Sequence, residues 1–194
     1  MIGDVRGAAL PEFGLVIIPL CIMLLGGMDM GYQIYVRSVM QGAVEYASRM
    51  TTLQTADSTA VEDAIRAQIK KIAPAATISI TKGSFYQFSN INTMERITVD
   101  RNSNGTLDGP VGTTPGDCWE DIDDNGERNV VAAGKDGIGA ADDVVRYTVV
   151  VTYKRLLPIY RFIGIPQQAQ LTTVAMTKRQ PYQGQTPPVE RCKT

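Results

Sequence analysis

From Phe13 to Met28 the chain carries no charge, and the apolar run continues, broken only by Asp29 and Gln33, to Val36. No other feature restricts the chain as much, because an apolar segment of this length has to be taken out of water. At 1.5 Å per residue a helix over Phe13–Val36 spans roughly 36 Å, enough to cross a hydrocarbon core of about 30 Å with some tilt. The run exceeds the about 7–15 apolar residues of a secretory h-region, and no A-x-A-like cleavage site follows it. A retained anchor over residues 13–36 is therefore expected. Glu12 and Asp29 stand near its two ends, roughly 25 Å apart along the axis, so that each can sit at one bilayer face. A carboxylate at the rim of lipid is costly and is usually partnered and functional. Tyr32 and Tyr35 suit an interfacial aromatic belt, and Arg37 marks emergence into water. Pro19 removes one backbone donor, a loosening that membrane helices tolerate. Gly27 and Gly31 form a G-x-x-x-G pair, which serves a close helix approach or is ordinary membrane-helix filler.

The helical period does not stop at the lipid boundary. Tyr32, Val36, Val39, Ala43, Tyr46 and Met50 recur at alternating steps of four and three, a narrow seam of the kind used in helix-on-helix contact. One helix from about Ala9 to Met50 is expected, its first half in lipid and its second half carrying the rest of the chain.

Around this helix lie Arg6-Gly7-Ala8-Ala9-Leu10-Pro11-Glu12-Phe13, then Pro19, Asp29-Met30-Gly31, Tyr35-Val36-Arg37 and Gly42-Ala43-Val44-Glu45-Tyr46-Ala47-Ser48-Arg49. The first of these resembles the processing site of type IV prepilins and pseudopilins. The constellation as a whole resembles the TadE-like family, pseudopilins of the tight-adherence (Flp, type IV-like) pilus machinery. The resemblance covers about the first quarter of the chain and is more specific as a set than in any single piece. It implies a leader of residues 1–7 cut by a prepilin peptidase between Gly7 and Ala8, with Glu12 becoming the fifth residue of the mature chain. It implies that the Glu12 carboxylate pairs with the α-amine of a neighbouring subunit's Ala8 when pilin-like helices stack; a charge in lipid needs such a partner. Phe13 stands where major Flp pilins are similar to one another in having tyrosine, which favours a minor subunit over the main filament protein. The implied location is the bacterial inner membrane, N-terminus cytoplasmic and C-terminal domain periplasmic or surface-associated. The positive-inside rule adds little, with Arg6 on one side and Arg37 and Arg49 on the other.

Net charge is −1 and the calculated pI is 5.5, which speaks against a nucleic-acid binder. There is no histidine, so histidine acid–base chemistry and zinc sites of the usual kind are excluded. No serine or lysine lies in a recognisable nucleophile motif, and an enzyme is not expected.

After a joint at residues 51–56, Thr59-x-x-Glu62 reads as a capping box opening a helix whose Val61, Ala64, Ile65, Ile69 and Ile72 share one face and which Pro74 ends. Runs rich in β-branched residues at Thr77–Lys82, Glu95–Asp100, Val144–Tyr153 and Gln170–Lys178 read as strands. Helix first, then strands without intervening helices, predicts an α+β domain over residues 51–180, an antiparallel sheet packed on helix. The tail, 181–194, rich in Pro and Gln, is expected to be loosely ordered.

The acidic Asp/Asn/Gly loop, 100–143, carries the most chemistry. Asp100-x-Asn102-x-Asn104-Gly105-x-x-Asp108 and Asp121-x-Asp123-x-Asn125-Gly126-x-x-Asn129 place oxygens at alternate positions before a sharp glycine turn, as the first half of an EF-hand-type calcium loop does. The twelfth position, normally a bidentate Glu, is Val111 in one copy and Ala132 in the other, so the copies are incomplete and modest affinity is expected unless Asp136, Asp142 or Asp143 folds back as a ligand. Asp117, Glu120, Asp121, Asp123, Asp124 and Glu127 crowd together with only Arg128 near, and a bound Ca2+ would relieve their repulsion. The competing reading is a pair of solvated Asx turns without metal. Cys118 and Cys192 can form a disulfide in an oxidising compartment, although spacing alone does not pair them. Leu156–Pro166 is an unusually apolar connector between Lys154, Arg155 and Arg161, suited to lying over the sheet or to touching a membrane or a neighbouring subunit. Two functions follow: a minor pilin-like subunit in pilus assembly, or a membrane-anchored calcium-dependent binding module unrelated to pili.

Overall fold

The structure, a computed structural model, describes residues 9–52, 57–157, 160–180 and 184–194. A single helix α1 runs Ala9–Thr51, unbroken through Pro19, followed by α2 at Ser58–Ile72. The strands are β1 Thr77–Phe85, β2 Ile97–Val99, β3 Cys118–Asp121, β4 Lys135–Asp136, β5 Val144–Lys154, β6 Gln168–Lys178 and β7 Val189–Cys192. A short helix α3, Tyr160–Ile163, lies in the connector between β5 and β6. The strands form two antiparallel sheets, β4-β1-β5-β6 and β2-β3-β7. This is the α+β architecture the pattern of elements predicts.

The two halves of α1 differ in what they touch. Over residues 10–28 most of the large apolar side chains, among them Leu10, Phe13, Leu15, Val16, Met23, Leu24 and Met28, are exposed, and the helix is long and apolar enough to cross a membrane. From Asp29 onward one stripe is buried: Asp29, Val36, Met40, Ala43, Val44, Ala47 and Thr51. The stripe is wider than the predicted seam and misses Tyr46, which is 51% exposed. The reason is that α1 packs on α2, β5 and β6 at once, and a helix facing a sheet needs more than a two-helix seam.

α2 presents Val61, Ile65 and Ile69 to the same core, where Ile78, Val145, Tyr147, Val149, Val151 and Tyr153 meet them from β1 and β5. Burying each such side chain stabilises the fold by about 1.5–3 kcal/mol relative to exposure. From Val145 to Tyr153 β5 alternates buried and half-buried residues, the period-two pattern of a central strand with one face on a core. The start of α2 differs from expectation: Asp57 is the N-cap and accepts from the Thr59 amide at 2.9 Å, while Glu62 pairs with Lys82 at 2.7 Å. Asp competes well with Thr for this place because an ionised oxygen also favours the positive end of the helix dipole.

The tail departs further from expectation. Val189–Cys192 pairs with β3 in full antiparallel register, and a disulfide joins Cys118 to Cys192, which face each other in that register. A Pro/Gln-rich composition lowers intrinsic order, but a covalent tie and a strand edge override it. Where the tail crosses the loop, a Cβ on Gly116 would stand 2.2 Å from the Lys193 carbonyl oxygen, so only glycine lets the two backbones pass. A second small core of Phe85, Ile122, Val131 and Val144 connects the loop region to β1 and β5.

Candidate functional site

The acidic repeats fold alike. Ser103 and Gly105 in the first loop, and Asp124 and Gly126 in the second, take positive φ at matching places. In each loop the leading aspartate turns back to cap the glycine: Asp100 accepts from Gly105 N at 2.8 Å, and Asp121 from Gly126 N at 2.9 Å. Asp and Asn side chains that bond their own backbone two to five residues on make this compact turn without help.

What surrounds the two loops is different. In the first, the Asp108 carboxylate accepts from Asn102 Nδ2 at 2.8 Å and Asn104 Nδ2 at 2.7 Å, and these bonds hold its pKa below the usual carboxylate range. Asn102 Oδ1 accepts from Asn104 N at 3.1 Å and Asn104 Oδ1 from Thr106 N at 2.8 Å, so this exposed loop satisfies its own polar groups. Asp117, buried at its base, accepts from Arg101 N at 3.0 Å and Asp108 N at 2.9 Å.

The second loop closes over a residue from far upstream. Glu95, 0% exposed, accepts from Ile122 N at 2.7 Å and Asn129 N at 3.3 Å. One oxygen each from Glu95, Asp121 and Asp123 lies within 4.8 Å of the others. Asp123 Oδ1 and Asn129 Oδ1 are buried and have no hydrogen-bond partner. Burial is the main cause that raises the pKa of both Glu95 and Asp123, and their carboxylate neighbours add to it. Three acids brought together, two of them buried and the third with an unsatisfied buried oxygen, form a site whose polar groups favour a cation or protons. Oxygen-only donors of this kind fit Ca2+ or another hard divalent ion. Arg191 of β7 bonds the Asp121 carboxylate and reaches Asp124 Oδ1 at 2.7 Å, so some of the negative charge is already balanced on the outer side.

Among the residues expected from sequence, Asp121 and Asp123 converge here, and Asn129 meets Glu95 through its backbone amide. Asn125 serves the turn, accepting from Glu127 N at 2.7 Å. Asp100, Asn102, Asn104 and Asp108 belong to the self-satisfied loop. The acids that could have completed the site by folding back do not join: Asp136 lies in β4, Asp142 pairs with Lys178 at 2.8 Å, and Asp143 accepts from Ala140 N at 2.6 Å. Glu95 takes their place, and Arg191 adds a cation on Asp121. Neither was visible in the loop spacing, because Glu95 precedes β2 and Arg191 lies in the tail, and only sheet pairing brings them in.

At the other end of the molecule Glu12 lies exposed in the first turn of α1, where a carboxylate is favoured by the helix dipole. Gly7 and Ala8 lie outside the described residues. A model of the family described as TadE-like protein matches residues 7–49 of the chain, which takes in nearly all of α1. No curated protein and no solved structure matches.

Proposed function

We propose that this chain is a minor pilin-like subunit in the assembly of a tight-adherence (Flp) pilus, cut after Gly7 by a prepilin peptidase. The observation that carries the reading is that the TadE-like match, residues 7–49, falls on a helix whose first half is apolar and exposed and whose second half bears the folded body. The first half then crosses the bacterial inner membrane and stacks with other pilin-like subunits. Glu12 is the carboxylate that meets the neighbour's amine at Ala8. The role is structural rather than catalytic. The Cys118–Cys192 disulfide supports a periplasmic location for the body, since such bonds persist in oxidising compartments. Mass spectrometry of the protein from cells, with and without the peptidase, tests the reading. A mature chain beginning at Ala8 and an assembly defect in Glu12→Gln are expected; retention of Met1 in the presence of the peptidase overturns it.

A calcium ion held by Glu95, Asp121, Asp123 and Asn129 belongs to the same proposal, supported by the two orphaned oxygens. When bound, the ion would supply positive charge that ties the loop to the segment just before β2. The same site favours a second reading, a membrane-anchored calcium-dependent surface module unrelated to pili. An N-terminus retained at Met1 together with calcium binding would select it.

A further inference from the structure

The connector between β5 and β6 begins beside the point of α1 where the exposed apolar half gives way to the buried stripe. β5 runs antiparallel to the second half of α1, as contacts along the pair record. Thr51 Oγ1 lies 3.1 Å from Tyr147 Oη near one end; the Tyr32 and Tyr153 rings meet edge-to-face at 5.5 Å; and Arg155 bonds Asp29 at the other end. Continuing past Arg155, the chain must therefore leave the sheet at the level where α1 passes from its buried stripe to its exposed apolar half.

Arg155 also closes the base of the connector. Its backbone amide donates to the Gln167 carbonyl at 3.0 Å and its Nε to the Pro166 carbonyl at 3.0 Å. Its ion pair with Asp29 is largely out of water, with side chains 13% and 3% exposed, and Gln33 Nε2 supports Asp29 at 2.9 Å. The loop so pinned presents Leu156, 64% exposed, with Leu157 and Ile165 half-buried, and has Lys154 exposed before it and Arg161 exposed within it. An exposed leucine flanked by cations, held beside the end of a lipid-length apolar helix segment, matches an interfacial segment: apolar side chains enter the acyl boundary while Lys and Arg stay with the headgroups.

The geometry points to the described ends of this connector, Leu156, Leu157 and residues 164–166, as a second membrane contact seated in the interface on anionic phospholipid, with Asp29–Arg155 as the strut that sets its height. The inference rests on the reading of α1 as the anchor. It gives the folded body two points of attachment to the bilayer, and so a fixed tilt and facing relative to neighbouring subunits.

The test uses the full chain with Cys21→Ala and single added cysteines at Leu156, Met23 or Gln87, each labelled with an environment-sensitive fluorophore. The labelled chains are reconstituted into phosphatidylcholine–phosphatidylglycerol vesicles containing spin-labelled lipid. Leu156 is exposed, so a label there leaves the core intact, and circular dichroism checks this. The expected result is lipid quenching and blue-shifted emission at positions 156 and 23, with water-like emission at 87. Lipid at 23 but water at 156 overturns the inference and leaves the anchor standing; water at both overturns the anchor and the inference with it. A blue shift at 156 without lipid quenching identifies a protein partner there and also overturns the inference. Equal quenching at 156 in vesicles of phosphatidylcholine alone overturns its anionic-headgroup part.

Discussion

Glu95 and Ile122 are joined by a buried hydrogen bond of 2.7 Å across 27 positions of sequence. That bond seats a carboxylate from the strand-entry segment inside the second acidic loop, and it is the main difference between two loops of matching sequence pattern.

Calcium stabilisation is expected to depend on Glu95 and not on Asp108. Glu95→Gln removes a charge from the three-acid group and is expected to weaken calcium binding by at least about tenfold, the scale set by 1.4 kcal/mol per decade. Asp108→Asn is expected to leave it unchanged. Calorimetric titration of the detergent-solubilised chain checks both; equal loss in the two variants, or no heat in the parent at millimolar calcium, would sink the assignment.

The sign of the pH dependence follows from the raised carboxyls. Glu95 and Asp123 hold their protons more tightly folded than unfolded, so between the unfolded and folded pKa values the native state binds more protons. Their contribution is fully present below the ordinary carboxylate pKa of about 4 and is lost as pH rises through the raised folded values. In chelator, Tm is expected to fall over that window; with calcium the fall is expected to shrink or reverse. A chelated chain that gains stability across it contradicts the site.

Breaking the Asp29–Arg155 pair is expected to be expensive. Asp29→Ala leaves the guanidinium buried and unpaired, and a loss of about 3–5 kcal/mol is expected in equilibrium unfolding of the detergent-solubilised chain. Removing both charges, as Asp29→Ala with Arg155→Met, is expected to cost less than the sum of the two single changes.

Opening the disulfide is expected to release the tail. Cys118 and Cys192 are 74 residues apart, and closing a loop of that size stabilises the fold by about 4 kcal/mol in the chain-entropy account, with about 2–4 kcal/mol typical. Cys192→Ser is expected to lower stability by that amount and to raise amide exchange in β3 and β7 before the β1–β5–β6 sheet.

Gly83→Ala tests the packing of β1 on the loop. The added Cβ would stand 1.9 Å from the Ala133 carbonyl oxygen, backbone that cannot turn aside. A destabilisation of about 1–3 kcal/mol is expected from thermal unfolding, as for other overpacked sites.

What the sequence determined by itself is whatever depends on neighbours along the chain. The uncharged run from Phe13 dictates a helix of lipid-crossing length, the 3.6-residue period carries that helix to Thr51, the spacing of Val61, Ile65 and Ile69 makes α2 amphipathic, and the Asx–glycine spacing makes two alike turns. Tertiary structure decided what depends on residues that are distant in sequence. It drew Glu62 away from the helix start to Lys82, drew the tail into a strand against β3, turned Asp136, Asp142 and Asp143 away, and brought Glu95 and Arg191 to Asp121. Local pattern encodes backbone conformation because neighbours share the same few torsions. The grouping of charges is different: it follows from which strands pair and which faces are buried, and a spacing of a dozen residues carries no record of that.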